Sequence, residues 1–236
     1  MIHTLVNTMN DNSEAWSSPD VVSYFDNQRV NSNDIYPSEW FFLKNSLKEN
    51  IRILDIGCAQ GGFSNAIKNE IKNFTYTGID ISESMITQAK KNYPHHTFYH
   101  IKESDDYSIL KSEDKSDFDL TLVLGILHLH ETWRETVAKA WNQTSGILIL
   151  DLRVVFEASI EDKEKSYFRM DFNGRGSDST EILPYNLINT SEALSSIYSI
   201  CKGAQKISYY GYSQKVSDSA VCPIKDVFAN VYCIER

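Results

Sequence analysis

Residues 51–64 read Ile51-Arg52-Ile53-Leu54-Asp55-Ile56-Gly57-Cys58-Ala59-Gln60-Gly61-Gly62-Phe63-Ser64. An apolar run of strand length ends in a turn of small residues, and the segment that follows repeats apolar residues at helical spacing. A strand, a glycine turn and a helix in this order form a pocket in which the backbone passes close to a ligand. The helix N-terminus adds free N–H groups. The stretch therefore predicts a nucleotide-type site within an α/β fold.

The position of Asp55 restricts the ligand that this turn can hold. A dinucleotide fingerprint needs G-x-G-x-x-G, whose backbone amides face a pyrophosphate. The chain instead has Gly57-x-x-x-Gly61-Gly62, and Asp55 precedes the first glycine by two residues. We expect its carboxylate to reach the mouth of the pocket, where it would disfavour an anion. The turn therefore favours a ligand that carries positive charge.

A second acid ends the next β-rich run, at Asp80, 25 positions after Asp55 (80 − 55). This is about the spacing at which an acid that binds ribose follows the first strand. A carboxylate there can accept hydrogen bonds from both ribose hydroxyls. The alternative is a solvated acid at a strand end, and two successive strands that each end in aspartate argue against it.

The remaining pattern predicts a doubly wound α/β fold. Strands predicted over residues 51–56, 74–81, 97–101, 118–124 and 146–153 alternate with helices, which is typical of a parallel sheet. Two β-rich runs close the chain, at residues 206–212 and 227–234, with no helix between them. They predict an antiparallel hairpin at the sheet edge.

The flanking regions predict a cover for this sheet. We assign residues 1–50 to an N-terminal arm and helical flap, with a helix over 39–47, and residues 51–236 to the main domain. In the flap, Tyr24, Arg29 and Tyr36 either close over a bound ligand or belong to a flap that only covers the sheet edge. The alternation of strands and helices breaks near 154–184, which predicts a lid-like insertion there.

Composition narrows the class of protein. The 236 residues carry a formal charge of −9, which argues against extended contact with nucleic acid or an anionic membrane. The four cysteines are scattered, as in a cytoplasmic protein with reduced thiols, and they form no zinc pattern. We expect no metal and no membrane-spanning segment. The oligomeric state stays open.

Together these motifs resemble the class I S-adenosylmethionine-dependent methyltransferases. Asp55-x-Gly57-x-x-x-Gly61 is similar to the first motif of that family, and Ile79-Asp80 with Ser82 and Met85 is similar to the second. Phe118-Asp119-Leu120, continuing into Leu124-Gly125, resembles the fourth. One departure is Ala59, where many members have glycine, and we expect alanine to be tolerated if its backbone conformation is ordinary. The resemblance implies a seven-stranded sheet whose last hairpin is antiparallel.

The resemblance also implies the cofactor, S-adenosyl-L-methionine, with S-adenosyl-L-homocysteine as its product. Its implied contacts are Asp55, Gly57, Cys58, Gly61, Asp80, Ile81, Met85, Leu124 and Arg29. Among these, the Leu124 carbonyl would meet the methionine moiety and Arg29 its carboxylate. Glu103 or Ser104 would face the adenine edge.

Methyl transfer to oxygen often needs a base, and histidine is a common one near neutral pH. His128 and His130 follow the fourth strand, where the family places substrate-facing residues, and we favour His128 as the catalytic residue. The alternative is a histidine that caps or packs within the loop. Residues predicted to bind the acceptor are Tyr24, Tyr36, His130, Arg153 and Arg175. Arg153 would hold a phosphate or carboxylate of the acceptor, or would pair with an acid such as Glu131.

These features predict a methyltransferase that acts on a small-molecule or sugar-type acceptor, such as a glycan precursor, by O-methylation. One alternative is an RNA ribose 2′-O-methyltransferase, because residues 58–64 also resemble the first motif of those enzymes. However, the chain has Leu124-Gly125 and Arg153 where that class has an acid and a lysine. The other alternative is a non-catalytic protein that binds S-adenosylmethionine.

Overall fold

The computed structural model describes residues 16–26, 29–102, 106–110, 118–170 and 182–236. The helices of these ranges are α1 (Pro19–Phe25), α2 (Pro37–Ser46), α3 (Gly62–Lys68), α4 (Glu83–Asn92), α5 (Trp133–Gln143) and α6 (Thr190–Ile200). The strands are β1 (Ile51–Ile56), β2 (Phe74–Asp80), β3 (Thr97–His100), β4 (Phe118–Val123), β5 (Thr144–Val155), β6 (Tyr167–Arg169), β7 (Ile182–Pro184), β8 (Ile188–Asn189), β9 (Lys206–Lys215), β10 (Ala220–Val221) and β11 (Asp226–Glu235). Three short 3-10 turns lie at Ser32–Asp34, Ser108–Leu110 and Leu127–Leu129.

The main sheet has the order β3-β2-β1-β4-β5-β11-β9, and β8 pairs separately with β5. β1 to β5 run parallel, whereas β11 is antiparallel to both β5 and β9. The prediction of a mostly parallel sheet with an antiparallel closing hairpin is therefore confirmed. The order reverses between β1 and β4, and ligands of such sheets bind at this point, beyond the strand carboxyl ends.

Helices cover both faces of the sheet, so the doubly wound arrangement is also confirmed. On one face, α2, α3 and α4 contribute Leu43, Ile67 and Ala89 to a buried apolar cluster. On the other face, α5 and α6 bury Trp133 and Ile197 among others. The alternate side chains of β1 divide between these clusters, which follows from the two-residue period of a strand.

α2 differs in detail from its prediction over residues 39–47. The helix begins at Pro37, which suits the first helical position because the N–H that proline lacks would be unpaired there. Its buried side chains are Ser38, Glu39, Phe42 and Leu43. The face that packs on the sheet therefore includes an acid.

A third apolar cluster lies above the strand carboxyl ends. It joins Val21 of α1 to Met85, to Leu129 and to the small antiparallel sheet β10-β6-β7. In addition, the Gln60 side-chain amide donates to the Val22 carbonyl at 2.7 Å and to Asp26 Oδ1 at 3.0 Å. α1 is therefore tied directly to the turn after β1.

Part of the predicted lid-like insertion near 154–184 lies outside the described residues, at 171–181. The division of the chain at residue 50 stays a prediction. Within the ranges that the structure describes, no helix has both the length and the hydropathy to cross a membrane.

Candidate active site

The turn after β1, residues 57–62, approaches its surroundings too closely for side chains at its glycines. Gly57 and Gly61 have φ angles of 76° and 78°, a region that favours glycine. A Cβ atom at Gly57 would lie 2.7 Å from a side-chain carbon of Ile126, and one at Gly61 would lie 2.8 Å from the Phe98 ring. Both glycines are therefore required by the backbone conformation and by close packing. We call residues 57–62 the cofactor turn.

Ala59 does not have the ordinary backbone conformation under which we expected alanine to be tolerated. Its φ angle is 45°, in the left-handed region. The alanine Cβ makes this region unfavourable by roughly 1–2 kcal/mol. The turn thus keeps the backbone conformation that glycine suits, and the chain accommodates alanine there with strain.

Replacing Ala59 with glycine should stabilise the protein by up to about 1 kcal/mol. The relief of backbone strain exceeds the entropy that glycine adds to the unfolded chain, which is about 0.4–1 kcal/mol. Ala66→Gly in α3 is the matched control, and it should destabilise by about 1 kcal/mol because that residue is helical and buried. Chemical denaturation of both variants measures the difference, and a destabilised Ala59→Gly variant would contradict the strain.

Asp80 lies at the carboxyl end of β2 and faces the cofactor turn. Its Oδ2 accepts the Ala59 N–H and its Oδ1 accepts the Ser82 N–H, both at 2.9 Å. An ionised carboxylate has about four acceptor sites, so each oxygen retains capacity for a further donor. Asp80 therefore orders the turn and still presents acceptors of the kind that a ribose diol needs.

The Asp55 carboxylate was expected at the mouth of the pocket, but the structure does not place it there. Its side chain is buried and accepts a short hydrogen bond from the Tyr76 hydroxyl of the neighbouring strand. Burial raises the pKa of Asp55 to about 6, although Tyr76 and Arg29 both lower it. The carboxylate thus contributes negative potential from beneath the turn.

Arg29 reaches the site from the segment after α1. Its Nη1 donates to the Leu124 carbonyl at 3.0 Å, and its guanidinium lies 5.2 Å from the centre of the Phe63 ring. A Cβ at Gly125 would lie 2.7 Å from the guanidinium, so that glycine makes room for it. Arg29 has a φ angle of 58°, an uncommon conformation for a residue with a side chain and one found at functional sites. The structure therefore brings together Arg29 and Leu124, two residues predicted separately.

The other predicted cofactor residues line the same region. Cys58, within the turn, is buried, and Met85 of α4 is buried in the cluster that includes Val21 of α1. Ile81 is partly buried, and its carbonyl lies 3.0 Å from a ring nitrogen of His100. Glu103 and Ser104 lie outside the described residues.

Four ionisable side chains lie buried where the carboxyl end of β5 meets the loop after β4. Asp151 and Arg153 project from one face of β5 and form an ion pair at 2.5 Å. Asp151 also accepts the Gly125 N–H at 2.6 Å. Glu39 and His128 both interact electrostatically with this pair. We call these four residues, Glu39, His128, Asp151 and Arg153, the buried polar cluster.

The ion pair fixes the charges of Asp151 and Arg153. Burial alone would raise the pKa of Asp151, but Arg153, with His128 and the Gly125 N–H, holds it below its usual value. Arg153 is therefore paired with Asp151, and not with Glu131 as one alternative had it. Glu131 instead faces Lys163 at 3.5 Å.

His128 is buried and neutral. Burial, together with the neighbouring cations Arg153 and Arg29, lowers its pKa to about 3. Its Nδ1 has no hydrogen-bond partner among the described residues. Its ring packs edge-on against Tyr185, with 5.6 Å between ring centres. A neutral imidazole of this low basicity can form a hydrogen bond with a ligand, but it is a poor acceptor for a proton released in a reaction.

Glu39 is a site residue that the sequence reasoning missed. Its Oε1 accepts from Arg29 Nη2 at 3.0 Å. Its Oε2 is buried and has no partner among the described residues. Burial raises its pKa to about 7. The sequence did contain a signal for this residue. Glu39 precedes Phe42 by three positions and Leu43 by four, so helical spacing places it on the apolar face that packs on the sheet.

The remaining predicted acceptor residues divide into three groups. Tyr24 and Tyr36 are exposed. Tyr24 interacts electrostatically with Tyr36 and Arg29, and Tyr36 interacts in the same way with Arg153. His130 contacts α5, with Nδ1 3.2 Å from the Thr136 hydroxyl. Arg175 lies outside the described residues. No group of three metal-ligating side chains occurs in the described part of the chain.

Known proteins share part of the sequence and the fold of this chain. A family model described as a methyltransferase domain matches residues 54–144, which run from β1 through the cofactor turn to the start of β5. This match supports a class I S-adenosylmethionine-dependent methyltransferase. The matched span includes Asp55, Asp80 and His128 but ends before Asp151.

A relative of this chain is the carboxy-S-adenosyl-L-methionine synthase of Campylobacter hominis, 29% identical over 120 residues. The match covers 49% of this chain and 50% of that protein, so the chain aligns with about half the length of its relative.

Solved structures share the fold. A phosphoethanolamine N-methyltransferase of Haemonchus contortus, in complex with S-adenosylhomocysteine, has a TM-score of 0.64 at 11% identity over 95% of this chain and 59% of that one. The N-terminal domain of EvdMO1 with S-adenosylhomocysteine bound has a TM-score of 0.58 at 12% identity, covering 82% and 78% of the two chains. The magnesium protoporphyrin IX methyltransferase of Synechocystis PCC 6803, with its cofactor bound, has a TM-score of 0.54 at 10% identity, covering 93% and 94%.

The residues around the cofactor turn fit S-adenosylmethionine. The close approach at Gly57 and Gly61 leaves space that a side chain would fill, and Asp80 retains free acceptor capacity beside it. The Leu124 carbonyl already receives a cationic group, that of Arg29. These features suit a ligand with a ribose and an ammonium group.

Proposed function

We propose that this protein transfers the methyl group of S-adenosylmethionine to an oxygen atom of a small-molecule or sugar-type acceptor. The observation that carries the proposal is the buried polar cluster, which lies against Leu124 and Gly125 and is covered by α2. Glu39 is 1% exposed and Arg153 6% exposed. A reaction site roofed by the chain itself suits a small acceptor better than a long polymer.

In this proposal the chain binds the cofactor with residues of the sheet and the flap. Asp80 accepts from the ribose, the cofactor turn lets the backbone approach, and the Leu124 carbonyl accepts from the ammonium. Arg29 pairs with the methionine carboxylate. When bound, S-adenosylmethionine supplies an electrophilic methyl group on a sulfonium, so the chain must align the acceptor and exclude water.

The buried polar cluster and its cover would handle the acceptor. Arg153, held by Asp151, offers further N–H donors, and Tyr36 and Tyr24 lie at the exposed side. We assign His128 to orienting the acceptor through Nδ1, because its pKa of about 3 makes it a poor base. α1 and the small sheet of β6, β7 and β10 exclude water from above.

A labelled-methyl assay tests the proposal. The purified chain is incubated with methyl-labelled S-adenosylmethionine and, separately, with hydroxylated metabolites, nucleoside-diphosphate sugars and RNA. We expect label in a small molecule or glycan precursor, and His128→Ala should lower turnover while calorimetry shows unchanged cofactor binding. Transfer to RNA alone would contradict the proposal and favour the ribose 2′-O-methyltransferase.

Two further outcomes would each replace the proposal. Cofactor binding without transfer to any acceptor would favour a non-catalytic binding protein. A cofactor that gains a carboxyl group, detected by mass spectrometry, would favour the activity named for the Campylobacter hominis relative. That alternative draws support from Arg153 of the buried polar cluster, because a guanidinium suits a carboxylate.

A further inference from the structure

Glu39 has an oxygen whose environment is incomplete. Oε1 bonds to Arg29, whereas Oε2 is inaccessible to solvent and has no partner among the residues that the structure describes. A buried polar atom without a partner costs about 1–3 kcal/mol. Such atoms are rare in native proteins and call for an explanation. A ligand that completes the hydrogen bonding of Oε2 provides one.

The neighbours of Glu39 place it between the two halves of the site. Arg29 contacts both the Leu124 carbonyl and Glu39 at 3.0 Å, so Glu39 is one side chain away from the proposed methionine position. On the other side, Asp151 and Arg153 of β5 act on Glu39 electrostatically. Glu39 therefore lies between the proposed methionine position and the ion pair proposed to hold the acceptor.

We propose that Glu39 is the proton acceptor of the methyl transfer, a role that rests on the function proposed above. The acceptor O–H donates to Oε2. As the acceptor oxygen forms its bond to the methyl carbon, the electron pair of the broken carbon–sulfur bond stays on sulfur, and Oε2 takes the proton. Glu39 then releases that proton to water when the products leave.

The electrostatics of Glu39 agree with this role. Burial raises its pKa to about 7, with Asp151 acting in the same direction and Arg29, Arg153 and the Tyr36 backbone N–H acting against it. A base is most effective when its pKa lies near the working pH. Glu39 meets this condition, whereas His128, with a pKa of about 3, does not.

The proposed position has a consequence that needs no acceptor to measure. The sulfonium of S-adenosylmethionine is positive, whereas the thioether of S-adenosylhomocysteine is neutral. An ionised Glu39 nearby therefore favours S-adenosylmethionine, and a protonated Glu39 does not. Because Glu39 ionises as the pH rises through about 7, the preference for S-adenosylmethionine should increase with pH.

Isothermal titration calorimetry of the full chain with both ligands tests this linkage. Between about pH 6.5 and about pH 8, the ratio of the two dissociation constants should shift at least about threefold towards S-adenosylmethionine. Glu39→Gln should abolish the shift, and Glu39→Asp, which keeps a carboxyl group, should retain it. Glu49→Gln removes an exposed acid elsewhere and should behave as the wild type.

The outcomes separate this inference from the proposed function. A wild type that binds both ligands with a constant ratio overturns the role of Glu39 alone, as does a shift that persists in Glu39→Gln. A shift that disappears in Asp55→Asn but not in Glu39→Gln assigns the titration to Asp55 and also overturns it. Failure of the wild type to bind either ligand overturns the proposed function, and the role of Glu39 with it.

Discussion

Replacing Asp80 with asparagine should weaken the binding of S-adenosylhomocysteine by about ten- to a hundredfold. Hydrogen bonds to a charged group contribute about 1.5–3 kcal/mol, which corresponds to this range. The structure gives a second reason for the loss. The two oxygens of Asp80 accept from Ala59 and Ser82, and asparagine would present an NH2 group to one of these N–H donors. Isothermal titration calorimetry measures the effect.

Asp119→Asn is the matched control for Asp80→Asn. Asp119 also accepts a backbone N–H, from Arg52 at 2.9 Å, but at the opposite end of the same sheet. Its replacement should leave the affinity unchanged within about twofold, because no site residue is near. Equal losses in both variants would indicate a general effect on the sheet and would contradict the role of Asp80 in binding.

Replacing Arg153 with methionine should lower the free energy of unfolding by about 3–5 kcal/mol. Removing one partner of a buried ion pair leaves an uncompensated charge, here Asp151, and losses of this size follow. Urea denaturation at neutral pH measures the loss. Arg52→Met breaks an exposed pair with Asp119 and should cost about 1 kcal/mol or less.

The double variant Asp151→Asn/Arg153→Met should recover much of that stability, because no unpaired charge remains and the asparagine oxygen can still accept from Gly125.

The pH dependence of stability gives an independent check on the buried charge. The pKa of Asp151 is depressed in the folded wild type, so its contribution is present above its unfolded pKa, near 4, and is lost as the pH falls further. The loss of unfolding free energy in Arg153→Met, relative to the wild type, should therefore shrink as the pH falls and Asp151 is protonated. A deficit that is independent of pH would contradict the buried charge.

The parts of the molecule that local sequence determines could be predicted. An apolar run, a glycine turn and an amphipathic helix specify the unit around Asp55 and Gly57, since each depends on near neighbours in the chain. The position of Asp80 could be predicted because this residue ends β2, so the location of the strand end also fixes that of the carboxylate. The direction of β11 followed from the absence of a helix before it.

Other features of the site could not be predicted, because they depend on contacts between residues that are distant in the sequence. Tyr76 draws the Asp55 carboxylate beneath the turn, across two strands whose register is set by the whole sheet. The buried polar cluster likewise depends on α2, which brings Glu39 to the Asp151–Arg153 pair of β5. The left-handed conformation of Ala59 is likewise set by the turn as a whole, and alanine itself gives no sign of it.

The tie between Gln60 and α1 has a consequence for how such an enzyme could change over time. Apart from Arg29, the proposed contacts of the methyl donor lie on residues 51–124, whereas Glu39 and the covering helix α1 come from the first fifty residues. Substitutions in that early segment that spare Arg29 are therefore expected to redirect the enzyme to another acceptor while the donor-binding residues stay intact. Gln60 contacts the α1 segment, and Arg29 contacts Leu124. A changed N-terminal segment would therefore have to keep these two contacts with the residues proposed to bind the donor.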